Sequence, residues 1–128
     1  MIIGSTQTEA GLQKAIIRAL DAIPFSARKF FCFHPANGEK RPPKTAALLK
    51  AMGVRPGVPD LVFLARSGAF FIELKRPTKT GRRNKPVEGK LSDKQIIVRD
   101  IIDSYAMPYA VHDSLDGVLN QLEKWGLL

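Results

Sequence analysis

The chain predicts an α/β fold in a single domain, and three observations carry that expectation. Its 128 residues fit one domain. Segments with apolar residues at helical spacing alternate with short aromatic and β-branched runs. Two of those runs, Leu61 to Ala65 and Ala69 to Leu74, are joined only by Arg66-Ser67-Gly68, and so short a connection makes them an antiparallel hairpin. With 45% hydrophobic residues, a chain of this length buries about two thirds of its unfolded surface, enough for a real core.

The elements follow in order. Thr6 to Ile23 reads as an amphipathic helix, with Leu12, Ala15, Ile16, Ala19, Leu20 and Ile23 at helical spacing and Pro24 as its stop. Lys29 to Phe33 is aromatic and alternates poorly, which predicts a strand buried on both faces, and His34 to Gly38 follows as a turn. A short helix is expected over Pro43 to Met52, with Gly53 as its C-cap. After the hairpin, Arg76 to Gly89 has two prolines, two glycines and no apolar residue except Val87, which predicts a mobile loop. Ser92-Asp93-Lys94-Gln95 fits a capping box that opens a helix to about Tyr105, with Ile96, Ile97, Ile101 and Ile102 facing inward. Pro108 ends it, Tyr109 to His112 is a short strand, and Ser114 to Trp125 is a last helix with Leu115, Val118, Leu119 and Leu122 inward.

Composition narrows the function. The formal net charge is +8, an excess that in a small domain points to a polyanionic partner. Between Lys75 and Lys90 stand seven basic residues against the single acid Glu88. No apolar run approaches the roughly 20 residues that span a bilayer, and the N-terminus lacks a charged-then-apolar signal pattern. The expectation is therefore an intracellular protein with no membrane partner. The single cysteine, Cys32, lies within an apolar run, which predicts a buried, inert thiol.

The chemistry concentrates in Gly57-Val58-Pro59-Asp60-Leu61 and Glu73-Leu74-Lys75. A hairpin folds its open ends together, so Asp60 at the start of one strand and Glu73 near the end of the other become cross-strand neighbours. Lys75, two residues on, shares the face of Glu73. Both acids sit where an apolar core meets solvent, and burying them is costly without a compensating cation. Magnesium takes oxygen ligands and keeps several waters, so Asp60, Glu73, the Leu74 carbonyl and a phosphate oxygen suit it. One cysteine and two distant histidines argue against a zinc site. The plainer reading makes Asp60 a turn residue, and Glu73 and Lys75 solvated strand residues.

With this order of elements, Pro59-Asp60 and Glu73-Leu74-Lys75 resemble the PD-(D/E)xK nuclease superfamily, and within it the virus-type replication-repair nuclease (VRR-NUC) family. The likeness extends to Glu9 in the first helix and to Ser92 with Gln95 opening the later one, and it covers nearly the whole chain. It implies a restriction-endonuclease-like core, a mixed β-sheet flanked by helices, as one nuclease domain over residues 1–128. It implies a catalytic set of Asp60, Glu73 and Lys75, with Glu9 and Gln95 as further site residues and Glu9 among the metal ligands. The cofactor implied is magnesium, with manganese able to substitute, and no small-molecule cofactor is expected. The source implied is bacterial or phage, the compartment cytoplasmic.

Several roles stay open at this level. Lys75 can orient the nucleophile, share developing negative charge, or take a proton. Glu9 belongs to Thr6-Gln7-Thr8-Glu9, itself a capping box, and Gln95 is the third residue after Ser92, so capping and function compete for both side chains. His34 and His112 are not expected to act. Arg76, Lys79, Arg82, Arg83, Lys85 and Lys90 are expected to track DNA phosphates. The substrate class implied is branched DNA such as four-way junctions, and two symmetric cuts suit a homodimer. Met1-Ile2-Ile3 and Trp125-Gly126-Leu127-Leu128 are candidates for that interface, or caps for the core. The alternatives are a restriction-like or nicking nuclease of duplex DNA, and a non-catalytic nucleic-acid-binding module of the same fold.

Overall fold

The computed structural model describes residues 8–36, 41–77 and 90–128. Over these, a four-stranded mixed sheet is flanked by helices, in the order α1 (Glu9–Asp21), β1 (Phe30–Phe33), α2 (Pro43–Ala51), β2 (Leu61–Ala65), β3 (Gly68–Leu74), α3 (Asp93–Ser104), β4 (Tyr109–His112) and α4 (Leu115–Lys124). The strands lie in sequence order; β1–β2 and β2–β3 pair antiparallel, and β3–β4 pair parallel. The β2–β3 hairpin is the one expected, with Ala65 opposite Gly68 across a two-residue turn. Gly68 holds φ +136° there, backbone that a Cβ disfavours.

One face of the sheet carries the core. Leu61, Phe63, Phe70, Ile72 and Leu74 alternate onto it, and Leu12, Ile16 and Leu20 of α1 meet them together with Val118 and Leu122 of α4. Leu127 is buried in the same cluster, and the Trp125 ring lies 5.2 Å from that of Phe70. The C-terminal residues thus cap their own core, and of the two interfaces offered for self-association the other, Met1 to Ile3, lies outside the described residues.

Four expectations need correction. α1 begins at Glu9, not Thr6: the Thr8 hydroxyl accepts from the Gly11 N–H at 2.9 Å, because the first side chain to bury is Leu12, one turn on. The C-cap of α2 is Met52, and Gly53 follows it at φ +105°, in the left-handed region. β1 is not buried on both faces: Phe30 is in the core, while Phe31 is 58% exposed. It is an edge strand with only one face against the helices. In α3 only Ile102 is buried, and Ile97 and Ile101 are 59% and 48% exposed. Gln95 decides this, because it takes the inward position at the head of the helix. At about 100° per residue, Ile102 falls about 20° from Gln95 around the axis, whereas Ile97 and Ile101 fall about 200° and about 240° away.

Candidate active site

Asp60 stands at the entry of β2, Glu73 and Lys75 at the end of β3, and Gln95 in the first turn of α3. Leu61 pairs with Ile72, so Asp60 comes beside Glu73, and alternation turns Glu73 and Lys75 away from the core face that Ile72 and Leu74 occupy. The Asp60 Oδ2 accepts from the Leu74 N–H at 2.8 Å. That bond ties the carboxylate to the strand that carries Glu73.

Asp60 and Glu73 are close enough for each carboxyl to feel the other, and like charge disfavours ionising both. Burial is the main cause that pushes the Glu73 pKa up to about 9. The neighbouring Asp60 carboxyl adds to it, Lys75 opposes, and Glu9 adds a little more. Glu73 is 3% exposed, and its Oε2 is buried without a hydrogen-bond partner. A buried orphan acceptor beside a second carboxylate is a costly arrangement for a merely structural residue.

Gln95 organises the remainder. Its Oε1 accepts from the Ser92 N–H at 2.9 Å and from the Lys75 ammonium at 2.9 Å, and its Nε2 donates to Glu73 Oε1 at 3.0 Å. The first two partners can only donate, so the amide orientation is fixed by the network. The Ser92 hydroxyl returns the cap by accepting from the Gln95 N–H at 3.2 Å. Capping and site roles therefore do not compete at Gln95; one carbonyl serves both. Lys75 is held nearly buried, at 9% exposed.

Gly57 explains how the loop before Asp60 reaches this helix. Its φ is +83°, and a Cβ there would lie 2.5 Å from the Lys94 carbonyl oxygen and 2.9 Å from the Gln95 nitrogen. Only glycine lets the Gly57–Asp60 segment and the first turn of α3 approach so closely.

Glu9 is the first residue of α1, whose N-cap is Thr8; Thr6, the other end of the expected capping box, lies outside the described residues. Glu9 lines one groove with Asp60, Leu74 and His34. Among the described residues no three His, Cys, Asp or Glu side chains are gathered tightly enough to hold a metal ion together. Glu9 thus faces the Asp60–Glu73 pair without completing a three-carboxylate cage. A magnesium ion does not require one, because it is commonly held by one or two carboxylates, waters and substrate phosphate. The orphan Oε2 of Glu73 and the oxygen-only donor set fit that ion.

Two residues in the site were missed in the sequence. The His34 Nδ1–H donates to the Asp60 carbonyl at 2.7 Å; a carbonyl cannot donate, so Nδ1 carries the proton and a neutral ring has Nε2 free to accept. Finding it required knowing that β1 pairs with β2, where Phe33 opposite Val62 carries the next residue to the Asp60 end. Tyr109 pairs with Phe71, two residues before Glu73, and shares its face. Its hydroxyl is buried without a partner, and burial first, then the Glu73 charge, raise its pKa. That required knowing which strand β4 joins. His112 by contrast is structural, its Nε2 bonded to Gln121 Oε1 at 3.0 Å. Burial pushes the Cys32 thiol up to about 12, the inert state expected. Of the basic residues, Arg76 and Lys90 are exposed, while Lys79, Arg82, Arg83 and Lys85 lie outside the described residues.

Comparison of the chain with known protein families, with curated proteins and with solved structures finds no match.

Proposed function

We propose that this chain is a magnesium-dependent endonuclease of the PD-(D/E)xK type, similar to VRR-NUC proteins, that hydrolyses phosphodiester bonds in branched DNA such as four-way junctions. One observation carries the reading: two carboxyls from adjoining strands, Asp60 and Glu73, meet in a site that also holds the ammonium of Lys75. Asp60 and Glu73 are the residues that would hold the ion, with the Leu74 carbonyl and Glu9 beside them and manganese able to substitute. When bound, such an ion supplies Lewis acidity and an acidified water.

The chain's own residues do the rest. Gln95 fixes the Lys75 ammonium 2.9 Å from its carbonyl, so a positive charge waits where negative charge builds on the phosphate oxygens. Preorganised charge of this kind needs no rearrangement during the reaction. The same amide orients the Glu73 carboxylate through its Nε2.

A domain of 128 residues has little surface for reading a long base sequence, so DNA shape is the natural basis of selection. Paired cuts at a junction suit a two-fold dimer, and Phe31, Phe33 and Leu64, exposed on the sheet face away from the core, are apolar surface that suits one.

The test is cleavage of a panel of junction, flap, nicked and linear DNA with magnesium, with Glu73→Ala as the control. Preferential cutting of the junction is expected, and loss of at least about 100-fold in the control. Preference for plain duplex would favour a restriction-like or nicking enzyme, DNA binding without cleavage a non-catalytic module, and undiminished cutting by Asp60→Ala would remove the site assignment.

A further inference from the structure

A groove of about 720 Å³ leads away from Asp60 along one side of α1. Glu9, His34 and Asp60 line it at the site end, and Gln13, Lys14 and Arg18 line it farther along the helix. The sign of charge changes along its length, from carboxylates at the site to cations beyond. Lys14 and Arg18 are exposed and one helical turn apart, and among the described residues neither has an ion-pair partner within 4.0 Å. Asp21, at the far end, is paired with Arg28 at 3.8 Å. Its charge is therefore partly engaged elsewhere.

We infer that this groove is the channel for the sugar-phosphate strand that continues from the scissile phosphate, with Lys14 and Arg18 holding successive phosphates; the inference rests on the nuclease reading above. At a rise of 1.5 Å per residue, Lys14 lies about 8 Å and Arg18 about 14 Å beyond Glu9 along the helix. The step between them, about 6 Å of helix, is close to the separation of neighbouring phosphates on one strand. Between the polar walls the floor is apolar, from Ala10, Ile17 and Leu74, a surface on which a deoxyribose can pack.

The electrostatics call for such cations. A phosphate delivered to Asp60 and Glu9 meets like charge, and cations on the flanking phosphates of the same strand offset that repulsion without touching the reacting atoms. Contacts of this kind supply affinity and register but carry no base information. They place DNA on α1.

The test is binding of a labelled four-way junction by fluorescence anisotropy without metal, repeated across salt concentrations, together with steady-state cleavage in magnesium. Each phosphate contact contributes about 0.9 to the slope of log affinity against log salt, so Lys14→Ala/Arg18→Ala is expected to flatten it by about 2, and each single change by about 1. KM should rise at least tenfold, with kcat at saturation changed little. Lys50→Ala/Lys124→Ala, on α2 and α4, should match the wild type in every readout, and circular dichroism establishes that all variants are folded. A double variant with the wild-type slope and KM, in a protein that cleaves DNA, overturns the channel alone. Binding equally reduced by the α2/α4 changes overturns it too, since it makes the effect one of net charge. A wild-type protein that neither binds nor cuts DNA overturns the nuclease reading, and the channel with it.

Discussion

The Lys75 ammonium donates to Gln95 Oε1 at 2.9 Å, so the site's nearly buried cation is held by a neutral amide that is also the cap of α3. Catalytic geometry and helix stability therefore depend on one side chain. The amide turns its other end to Glu73 at 3.0 Å, which makes Gln95 the joint between the hairpin and the helix that follows it.

That joint can be separated into its two functions. Gln95→Glu keeps an acceptor for the Ser92 N–H and the Lys75 ammonium but replaces the amide donor to Glu73 with a second carboxyl. The expected result is a folded protein with DNA cleavage reduced by at least about tenfold, one hydrogen bond's worth. Gln95→Ala also removes half of the capping box and should lower stability by about 0.5–2 kcal/mol. Melting curves and cleavage rates on the same samples distinguish the two.

The raised Glu73 pKa sets a pH dependence. Folded Glu73 holds its proton up to about 9, against an ordinary value of 4.5, so between these values the folded state binds more protons than the unfolded one. Stability is then fully present below about pH 4.5 and falls as pH rises toward 9. Glu73→Gln should flatten that decline. Magnesium favours the ionised carboxylates, so its stabilising effect should grow from pH 6 to pH 9. Thermal melts with and without the ion across this range check both, and a magnesium effect that shrinks with pH would contradict the assignment of Glu73 as a ligand.

Gly57→Ala should be strongly disruptive. The left-handed backbone alone costs about 1–2 kcal/mol for a residue with a Cβ, and the added carbon meets backbone atoms of Lys94 and Gln95 that have no side-chain freedom to give. Loss of stability with a still larger loss of activity is expected, because either Asp60 or Gln95 must shift. Urea denaturation and cleavage assays measure the two losses.

Tyr109→Phe tests the buried hydroxyl on the Glu73 face. With no partner for that oxygen, removing it should leave stability unchanged or raise it by up to about 1–2 kcal/mol. A clear fall in the melting temperature would mean that the hydroxyl is hydrogen-bonded in solution.

Local chemistry made much of this legible in the chain. Alternation and a short turn specify the β2–β3 hairpin, and the hairpin by itself brings Asp60 to Glu73, because register follows from turn length. The Ser92–Gln95 cap is equally local, since its donors and acceptors lie within one turn. Ile97 and Ile101 show the limit: their apolar character suggests burial, but the roll of α3 is decided by Gln95 reaching across to Glu73 and Lys75. The exposure of Phe31 likewise follows from which part of the sheet the helices cover, a fact of tertiary packing.

By itself the sequence determined the elements, the hairpin and the meeting of two carboxylates, because each depends on residues within about one turn or one strand pair of each other. Only the tertiary structure decided that Gln95 joins Lys75 to Glu73, that His34 and Tyr109 enter the site, and that α1 lays Lys14 and Arg18 along a groove from it. Those relations cross 20 or more residues in places, as in Lys75 with Gln95 and His34 with Asp60. They are fixed by how helices roll and strands order themselves when the whole core packs.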